Sequence, residues 1–459
     1  MKFNKWLVAG GVILAGAGLA PWGVGYVTEQ QWSRAALEVN AAQPFVHLET
    51  QQYQRGVLAS EADGTLTITD PARGDSYRIG FRVKVSHGVT GSLMDFRPDA
   101  GWQPEGANWF RGEKPRLTLE TRIWGSATLV LEAPAMAIDN PASGESLRSS
   151  GGLASISVGS LGEQADLMLV WPALSLSGPE LDFAVGDVHL EQSLAWLSGD
   201  IWTGTGTLSV ESLSVQSPGA EPVVLNDLAM TCASEAKDQD RRLDSTLELD
   251  VASVSVGSDA FGPQRMAVSV DNLDVASWNA FSSAMTDLQA MTVKAGAGGG
   301  ASFEQQMAVM QRFNESIRDL AAAGFSAGIR ELSLETPEGP VQGSLDISHP
   351  ELAGAEKDAM LMVMQGLTGE LDFSMPMALV EDYAAVRMQV APLIKQGLLV
   401  QEGDRLVMDG RMEDLVLDIN GLQIPLPPLL RAQTAACAGS GSANFPLLLF
   451  FSPAGLRPG

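Results

Sequence analysis

The sequence Tyr77-Arg78-Ile79-Gly80-Phe81-Arg82-Val83-Lys84-Val85-Ser86 decides the fold class of this chain. Apolar side chains occupy every second position, and arginine, glycine, lysine or serine stands between them. Successive side chains of a β-strand point to opposite faces, so this period of two predicts a strand with one buried and one hydrated face. The predicted buried side chains are those of Tyr77, Ile79, Phe81, Val83 and Val85. A register slip of one residue would turn all five toward water.

Similar alternation recurs along the chain and predicts a protein built mainly from strands. It is found at residues 117–123, 247–256, 266–270, 329–334, 341–347 and 415–419. Gly, Pro, Asp or Asn residues, which favour turns, generally separate these segments. The sequence therefore predicts an α+β fold that is mainly β, with extended antiparallel sheets and a few amphipathic helices.

Three helices are predicted between the strands, at residues 276–291, 302–323 and 375–396. The second helix has an apolar stripe at spacings of three or four residues, which predicts that the stripe packs in the core. Its members are Phe303, Met307, Met310, Phe313, Ile317 and Leu320. Within the glycine-rich residues 294–301, positions 296–301 match the motif G-x-G-x-x-A, but no β-α-β unit surrounds them. They predict a flexible connector between a strand-rich region, 28–293, and a helix-plus-strand region, 302–421.

Residues 6–27 carry no charge and predict one N-terminal transmembrane helix that precedes the sheets. A helix needs about 20 apolar residues to cross the hydrocarbon core of a bilayer, and this stretch is long enough. Lys2 and Lys5 lie before it, so the positive-inside rule places residues 1–5 in the cytoplasm. The sequence thus predicts a single-pass signal-anchor with everything after residue 27 on the outer side.

A cleaved signal peptide is the alternative interpretation of the same segment. Ala15-Gly16-Ala17 has the small-x-small form of a cleavage site and follows an apolar run. Apolar residues continue for ten positions beyond Ala17, which favours an uncleaved anchor. Both interpretations place the rest of the chain outside the cytoplasm.

Composition narrows the classes of partner and cofactor. The chain holds 29 basic and 55 acidic residues, and its formal net charge of −26 repels nucleic acid. Two cysteines, Cys232 and Cys437, are too few for a disulfide scaffold or a four-thiolate zinc site. The four histidines are widely spaced and form no metal-binding motif, so we expect no metal or cofactor. They are His47, His87, His189 and His349.

Catalytic motifs give little support to an enzyme. Ser234-Glu235-Ala236-Lys237 matches S-x-x-K, but the S-D-N and K-T-G elements that accompany that motif are missing from the sequence. Carboxylate pairs for glycoside cleavage meet only in three dimensions, so a sequence cannot reveal them. The sequence favours a non-catalytic protein, and a periplasmic hydrolase with carboxylates brought together by the fold is the alternative.

Several short motifs together resemble the YdgA-like proteins of Gram-negative bacteria, a family of unassigned function. In the first part of the chain they are Glu29-Gln30-Gln31, the segment 53–62 with Tyr53, Arg55, Gly56 and Ser60, and His87-Gly88. Near the other end they are Gly397-Leu398-Leu399-Val400, Asp409-Gly410 and Asp418-Ile419-Asn420-Gly421. The chain departs from the family pattern at Val57, Val89 and in the Pro/Gly-containing tail 422–459, for which we expect low order.

The resemblance implies a strand-rich periplasmic protein held in the inner membrane by its N-terminal helix, and it implies no catalytic residues. The residues themselves favour structural roles: Arg55-Gly56 with Ser60 is typical of a turn, and His87-Gly88 closes the best strand. We therefore expect a membrane-anchored envelope protein. Its expected role is to bind or scaffold a partner, which is either apolar and lipid-like or a protein. A protein partner would bind through exposed strand edges.

Overall fold

The fold is known from a computed structural model, which describes residues 24–30, 32, 33, 37, 40, 46–69, 76–296 and 302–426. Within these ranges the chain is mainly β, and its strands join into one 23-stranded antiparallel sheet. This confirms the predicted mainly β class. Most of the predicted membrane segment, residues 6–23, lies outside the described residues, as do residues 297–301 of the connector and 427–459 of the tail.

The strands are β1 Val46–Arg55, β2 Ala59–Thr69, β3 Ser76–His87, β4 Gly91–Pro98, β5 Arg116–Arg122, β6 Ala127–Ala133, β7 Met136–Asn140, β8 Glu145–Ser149, β9 Gly152–Val158, β10 Gln164–Ser177, β11 Asp182–Ser198, β12 Ile201–Gln216, β13 Val223–Lys237, β14 Arg242–Val256, β15 Asp259–Phe261, β16 Gln264–Asp274, β17 Phe325–Thr336, β18 Gly339–His349, β19 Thr368–Pro376, β20 Val400–Glu402, β21 Arg405–Glu413, β22 Val416–Ile419 and β23 Leu422–Pro425. Each segment in which we predicted a strand lies within or overlaps one of these. The strand β23 occupies the first residues of the predicted tail.

Neighbouring strands in the sheet are mostly neighbours in sequence. The pairing runs β1-β2-β3-β4-β5-β6-β9-β10-β11-β12-β13-β14-β16-β17-β18-β19-β21-β22-β23. The β7–β8 hairpin adds to β10, β15 adds to β14, and β20 adds to β21. Successive turns of such a sheet lie on opposite edges. We name the edge with the turns 56–58, 88–90 and 123–126 the upper edge, and the opposite one the lower edge.

Five α-helices among the described residues pack at the ends of strands, and a further helical segment precedes β1. They are α1 Val275–Gly296, α2 Phe303–Ala322, α3 Met360–Gln365, α4 Met377–Asp382 and α5 Ala384–Lys395, with 3₁₀ turns at Ser160–Gly162 and Gly354–Glu356. The preceding segment, residues 24–30, 32 and 33, is termed the N-terminal helix. It includes residues 24–27 of the predicted membrane segment. Among the described residues, no helix has the length and apolarity needed to cross a membrane.

The helix α2 begins where the sequence predicts. Ser302 caps it by accepting the backbone N–H of Gln305, whose side chain accepts the N–H of Ser302 in return. The predicted core role of its apolar stripe is wrong for Phe303, Met307 and Met310, which are exposed. Only the C-terminal half of α2 reaches the sheet, where Leu320 packs against a buried cluster.

The predicted helix at 375–396 is divided in the structure. Residues up to Pro376 belong to β19, because the residue before a proline disfavours helical backbone. The remainder forms α4 and α5, which are separated by Tyr383 in extended conformation. These two short helices pack beneath the last strands and bury Leu379, Val380 and Val390.

Three clusters of buried apolar side chains stabilise the sheet at separate places within the described ranges. The first joins the N-terminal helix to β2–β5 and is built from Trp32, Ala62, Phe81, Val83, Val85 and Met94. The second lies under α1 and α2 and contains Ile201, Leu243, Leu273 and Val275. The third lies under α4 and α5 and contains Val341, Met375, Leu379, Val380, Val390, Leu399 and Leu406.

The strand that decides the fold class is only partly buried. Phe81, Val83 and Val85 are buried as predicted, but the prediction is wrong for Tyr77 and Ile79, which are exposed. All five side chains share one face, and the N-terminal helix covers only the part of that face near the upper edge. The rest of this apolar face is open to solvent.

Candidate functional site

One face of the sheet carries an unbroken row of uncharged, mostly apolar residues. Residues directly opposite each other on paired strands share a face, so the row can be followed from strand to strand. It runs through Ala62, Val83, Phe96, Leu117, Leu131, Ala154, Leu169, Leu190, Leu208, Met230, Leu249, Met266, Leu332, Gly343, Phe373 and Met408. We name these residues the apolar row.

The two ends of the apolar row are covered by other parts of the protein. Near its start, Val83 is buried beneath Trp32 of the N-terminal helix, and Phe96 packs against the same indole. Near its end, Phe373 and Met408 pack against the cluster beneath α4 and α5. Both ends thus behave as ordinary protein core.

The middle of the apolar row is half-buried rather than buried. This holds for Leu169, Leu190, Leu208, Met230 and Leu249, and the three buried clusters of the described residues lie elsewhere. Since side chains opposite each other are about 5 Å apart, the row's members shield one another in part. Along this row β10 to β14 therefore present a partly exposed apolar surface, whereas Val210 and Val251, two residues farther along the same strands, are buried.

The opposite face of the same strands is polar and exposed. Glu191 follows Leu190, Ser209 follows Leu208 and Thr231 follows Met230, and all three polar residues are exposed. Antiparallel sheets commonly solvate one face and pack the other against something apolar. The alternation thus indicates that one face of β10–β14 is solvated and that the other is suited to an apolar contact.

The open part of the apolar row is comparable in length to a lipid chain. Strands lie about 4.8 Å apart, so a row crossing the five strands β10–β14 extends roughly 19 Å along the sheet. One acyl chain spans about half of the roughly 30 Å hydrocarbon core of a bilayer. The open part of the row is therefore about as long as one acyl chain.

A second candidate lies near the upper edge, where a buried polar cluster joins the N-terminal helix to the sheet. His87 Nε2 is 2.7 Å from Ser60 Oγ, and His87 Nδ1 is 2.7 Å from Ser92 Oγ. Ser92 Oγ is 2.8 Å from Thr28 Oγ1 of the N-terminal helix. All four side chains are buried, and Ser60 is only 2% exposed. We name these four residues the histidine cluster.

The hydrogen bonds of the histidine cluster have one consistent direction. Thr28 Oγ1 donates to the Val24 carbonyl, so it must accept from Ser92, and Ser92 must in turn accept from His87 Nδ1–H. The unprotonated Nε2 then accepts from Ser60, whose oxygen accepts the Gly56 N–H at 3.3 Å. Neutral His87 with its proton on Nδ1 therefore satisfies every member of the chain.

Burial supports the same protonation state. Desolvation lowers the pKa of His87, because the charged imidazolium loses more hydration than the neutral ring. Burial also raises the pKa of Tyr53, whose hydroxyl has no hydrogen-bond partner among the described residues. Both rings are therefore uncharged near neutral pH.

The other motif residues of the first strands secure the same helix. Arg55 Nη1 lies 3.0 Å from Glu29 Oε2, and its guanidinium stacks over the Tyr26 ring at 5.5 Å. A Cβ atom on Gly56 would lie 2.2 Å from the Ala59 carbonyl oxygen, so only glycine fits this turn. Gly88 begins the β3–β4 turn and donates its N–H to Gly91.

Asn420 and Gly421 are not part of this cluster. They form the β22–β23 turn with φ angles of 51° and 83°. The Asn420 amide accepts the Asp409 N–H at 2.9 Å and donates to the Leu398 and Val407 carbonyls. The structure thus brings Tyr53, Arg55, Gly56, Ser60, His87 and Gly88 together and leaves the C-terminal motif at the far end of the sheet.

Sequence reasoning missed Thr28 and Ser92, and it did not predict which residues of the cluster bond to each other. Ser92 follows His87 by five residues across a tight turn, which is the spacing that lets the two face each other in a hairpin. Thr28 lies 64 residues from Ser92 in sequence, so only the tertiary fold brings it there.

The Ser60–His87 distance is that of a nucleophile and a general base, but the surroundings differ from those of a hydrolase. The second ring nitrogen faces the Ser92 hydroxyl rather than a carboxylate. A Cβ atom on Gly25 would lie 3.0 Å from Nε2, so the helix backbone packs directly on the ring. A substrate would have no room beside Ser60 while the helix is docked.

Two clefts of the described residues lie away from both candidates. One, of about 460 Å³, lies between β7–β8 and β10–β12 and is lined by Met136, Leu174 and Val185 with Arg111 and Arg148. The other, of about 660 Å³, is lined largely by acidic side chains of β20–β22.

Within the described ranges, His, Cys, Asp and Glu residues form no group of three that could hold a metal ion.

Comparison with known proteins places the chain in a family. A family model described as a bacterial protein of unknown function, DUF945, matches residues 3–427, and the chain belongs to this family. No curated protein and no solved structure matches the chain.

Proposed function

We propose that this protein is a membrane-anchored periplasmic envelope protein that binds the hydrocarbon chains of lipids along the open part of the apolar row. The observation that carries the proposal is the unbroken apolar row itself, whose middle is partly exposed and lies outside the three buried clusters of the described residues. Contiguous exposed apolar surface commonly marks a binding site on a protein.

The chemistry of the apolar row selects the class of ligand. Its side chains offer no charge and no amide, so they cannot orient a polar ligand by hydrogen bonds. The row is much longer than it is wide, which suits a flexible hydrocarbon chain better than a compact molecule. Exclusion of water from both surfaces supplies the binding free energy, at about 25 cal/mol per Å² of apolar area.

The N-terminal segment supplies the membrane attachment in this proposal. Residues 6–23 carry no charge, and Lys2 and Lys5 precede them, which supports a single-pass anchor with the body in the periplasm. With a formal net charge of −26, the protein would be repelled by anionic lipid headgroups. A covalent tether is therefore needed to hold it near its ligands.

The motif residues have a mechanical role in this proposal. The histidine cluster and the Arg55–Glu29 ion pair fix the N-terminal helix on the sheet, so the anchor and the apolar row keep a fixed relative position. Within its family we also assign the chain to the YdgA-like proteins of the bacterial inner membrane, because it has their Tyr53, Arg55-Gly56, Ser60 and His87-Gly88.

Site-specific photocrosslinking in intact cells tests the ligand. A benzophenone amino acid replaces Met230 on the apolar row in the full-length protein, and Thr231 on the polar face of the same strand in the matched control. Lipid adducts found by mass spectrometry at position 230 and not at 231 would support the proposal. Equal labelling at both positions, no lipid at either, or a protein adduct at 230 would contradict it.

A further inference from the structure

Three turns on the upper edge expose large apolar side chains next to one another. The turn 56–58 exposes Val57 and Leu58 (54% and 66%), the turn 88–90 exposes Val89 (58%), and the turn 123–126 exposes Ile123 and Trp124 (47% and 54%). The β1–β2, β3–β4 and β5–β6 hairpins place these turns side by side on one edge. We name these five residues the apolar tip.

Hydrogen bonds hold the three turns together. The His87 N–H donates to the Leu58 carbonyl at 2.9 Å, which links the first turn to the second. The Ile123 N–H donates to the Thr90 carbonyl at 3.0 Å, which links the second turn to the third. The apolar tip is therefore a fixed surface, and its exposure does not arise from one loose loop.

The apolar tip is free of charge in a strongly acidic protein. Residues 56–58, 88–90 and 123–126 include no Asp, Glu, Lys or Arg. Farther along the upper edge the turns carry Glu163, Asp200, Asp238 and Asp240. The uncharged part of the upper edge is therefore confined to the first strands.

The chain reaches the body of the protein beside the apolar tip. Val24 and Gly25 are buried, and Gly25 packs on His87, the residue that immediately precedes the turn 88–90. Four positions along the same helix, Thr28 bonds to Ser92 just after that turn, and Trp32 lies farther from the upper edge against Phe81. The N-terminal helix thus begins at the upper edge and runs away from it.

We propose that the apolar tip inserts into the outer surface of the bilayer that holds the anchor, at the boundary between headgroups and acyl chains. The proposal rests on the proposed anchoring, because Val24, the first described residue after the proposed anchor, is next to Gly25, which packs on His87 beside the tip. The occupant is a lipid surface rather than another protein, because the tether holds this edge against the membrane.

Trp124 and its neighbour fit this position. The guanidinium of Arg122 stacks over the Trp124 ring at 6.0 Å, which places a cation beside an aromatic ring at the end of β5. Tryptophan rings favour the headgroup layer, and Arg122, which also pairs with Glu120, holds its guanidinium beside that ring. Insertion fixes the orientation of the sheet, with its strands pointing away from the membrane.

Depth-dependent fluorescence quenching tests the proposal on the full-length protein. Single cysteines at Val89 and Trp124, in a background with Cys232→Ala and Cys437→Ala, carry an environment-sensitive NBD probe. Controls carry it at Ala220 on the lower edge and at Gln239 in an acidic turn of the upper edge. The protein is reconstituted in liposomes of phosphatidylethanolamine and phosphatidylglycerol with a nitroxide on a shallow acyl carbon, and flotation of the same sample measures anchoring.

We expect the protein to float with the liposomes, and the probes at positions 89 and 124 to lose at least half of their emission to the nitroxide. The probes at positions 220 and 239 should be unaffected. Flotation without quenching at 89 and 124 would overturn the inference and leave the anchor intact. Failure to float would overturn the anchor and the inference together, and a blue shift without lipid quenching would show that another copy of the chain, not lipid, covers the tip.

Discussion

His87 and Ser60 share a 2.7 Å hydrogen bond across the β2–β3 pair, in a place where the N-terminal helix covers both. The bond is the link between the sheet and a chain of donors that ends on the Val24 carbonyl of that helix. The attachment of the helix thus depends on a neutral imidazole with a defined tautomer. Several consequences of this arrangement can be measured.

Ser60→Ala should lower the free energy of unfolding by about 1–3 kcal/mol, because it leaves the buried Nε2 of His87 without a donor. His189, which is exposed and bonds only to Asp187 within the described residues, gives the matched control His189→Asn. Thermal unfolding of the full chain in detergent measures both, and limited proteolysis reports whether the N-terminal helix is released. A Ser60→Ala protein as stable as His189→Asn would show that the cluster does not stabilise the docked helix.

The stability of the docked helix should rise with pH below neutrality. Burial holds the pKa of His87 below its ordinary value of about 6.5, so the unfolded chain binds more protons than the folded one between those two values. The stabilisation is complete above the ordinary pKa and decreases as pH falls toward the lowered pKa. His87→Gln should flatten this part of the stability profile, whereas His189→Asn should retain it. The same slope in both variants would place the titrating group elsewhere.

Gly25→Ala should weaken helix docking. The added Cβ would lie 3.0 Å from Nε2 and 3.2 Å from Cδ2 of a ring whose two nitrogens are already bonded. Overpacking destabilises a protein by about 1–3 kcal/mol, whereas replacing glycine by alanine stabilises a helix by about 1 kcal/mol. We therefore expect a small net decrease in the free energy of unfolding. Ser33→Ala on the exposed side of the helix gains helix propensity, loses only an exposed hydrogen bond to the Glu29 carbonyl, and is the control. If Gly25→Ala is more stable than Ser33→Ala in the same unfolding assay, the helix does not pack on the ring.

Asn420→Ala should destabilise the far end of the sheet alone. It removes an acceptor for the Asp409 N–H and donors to the Leu398 and Val407 carbonyls, a loss of about 1–3 kcal/mol. Asn420→Gly separates the two roles of the residue, since glycine tolerates the φ of 51° but makes no side-chain bonds. Hydrogen exchange should accelerate in β21–β23 for both variants and stay unchanged in β2–β4. Faster exchange in β2–β4 would contradict the separation of the two motif regions.

The strands β11 to β14, of which β14 was predicted, share an irregularity in their apolar pattern. In each of them a spacing of three stands between two pairs spaced by two or interrupts the alternation: 185 and 188, 210 and 213, 225 and 228, 251 and 254. These irregularities pair with one another across the sheet, and Asp187 and Asp227 adopt positive φ there. The period of two changes phase within each strand, so alternation is a weaker signal in these strands than in β3. Glycine and threonine in the upper half of β12 weaken the signal further.

The candidate sites were predictable to different degrees for similar reasons. The motif residues could be identified, but Thr28 and Ser92 could not, because a hydroxyl is common and its partner lies on another element. The apolar row could not be predicted from the sequence, since it depends on the register of every strand pair in turn. A shift of one residue in any pair would move the apolar residues to the other face and break the row.

The apolar row makes the sharpest prediction for function. Leu208→Glu places a charge in the middle of the row. Desolvating that carboxylate against a hydrocarbon chain costs far more free energy than the apolar contact provides. Ser209→Glu adds the same charge to the exposed face of the same strand and is the matched control. Since Leu208 is only half-buried, the carboxylate stays hydrated without ligand, and both variants should fold. We expect lipid copurifying with the full-length protein, measured by mass spectrometry, to fall at least fivefold for Leu208→Glu and to be unchanged for Ser209→Glu. Equal lipid in both variants would show that the open part of the apolar row is not where hydrocarbon chains bind.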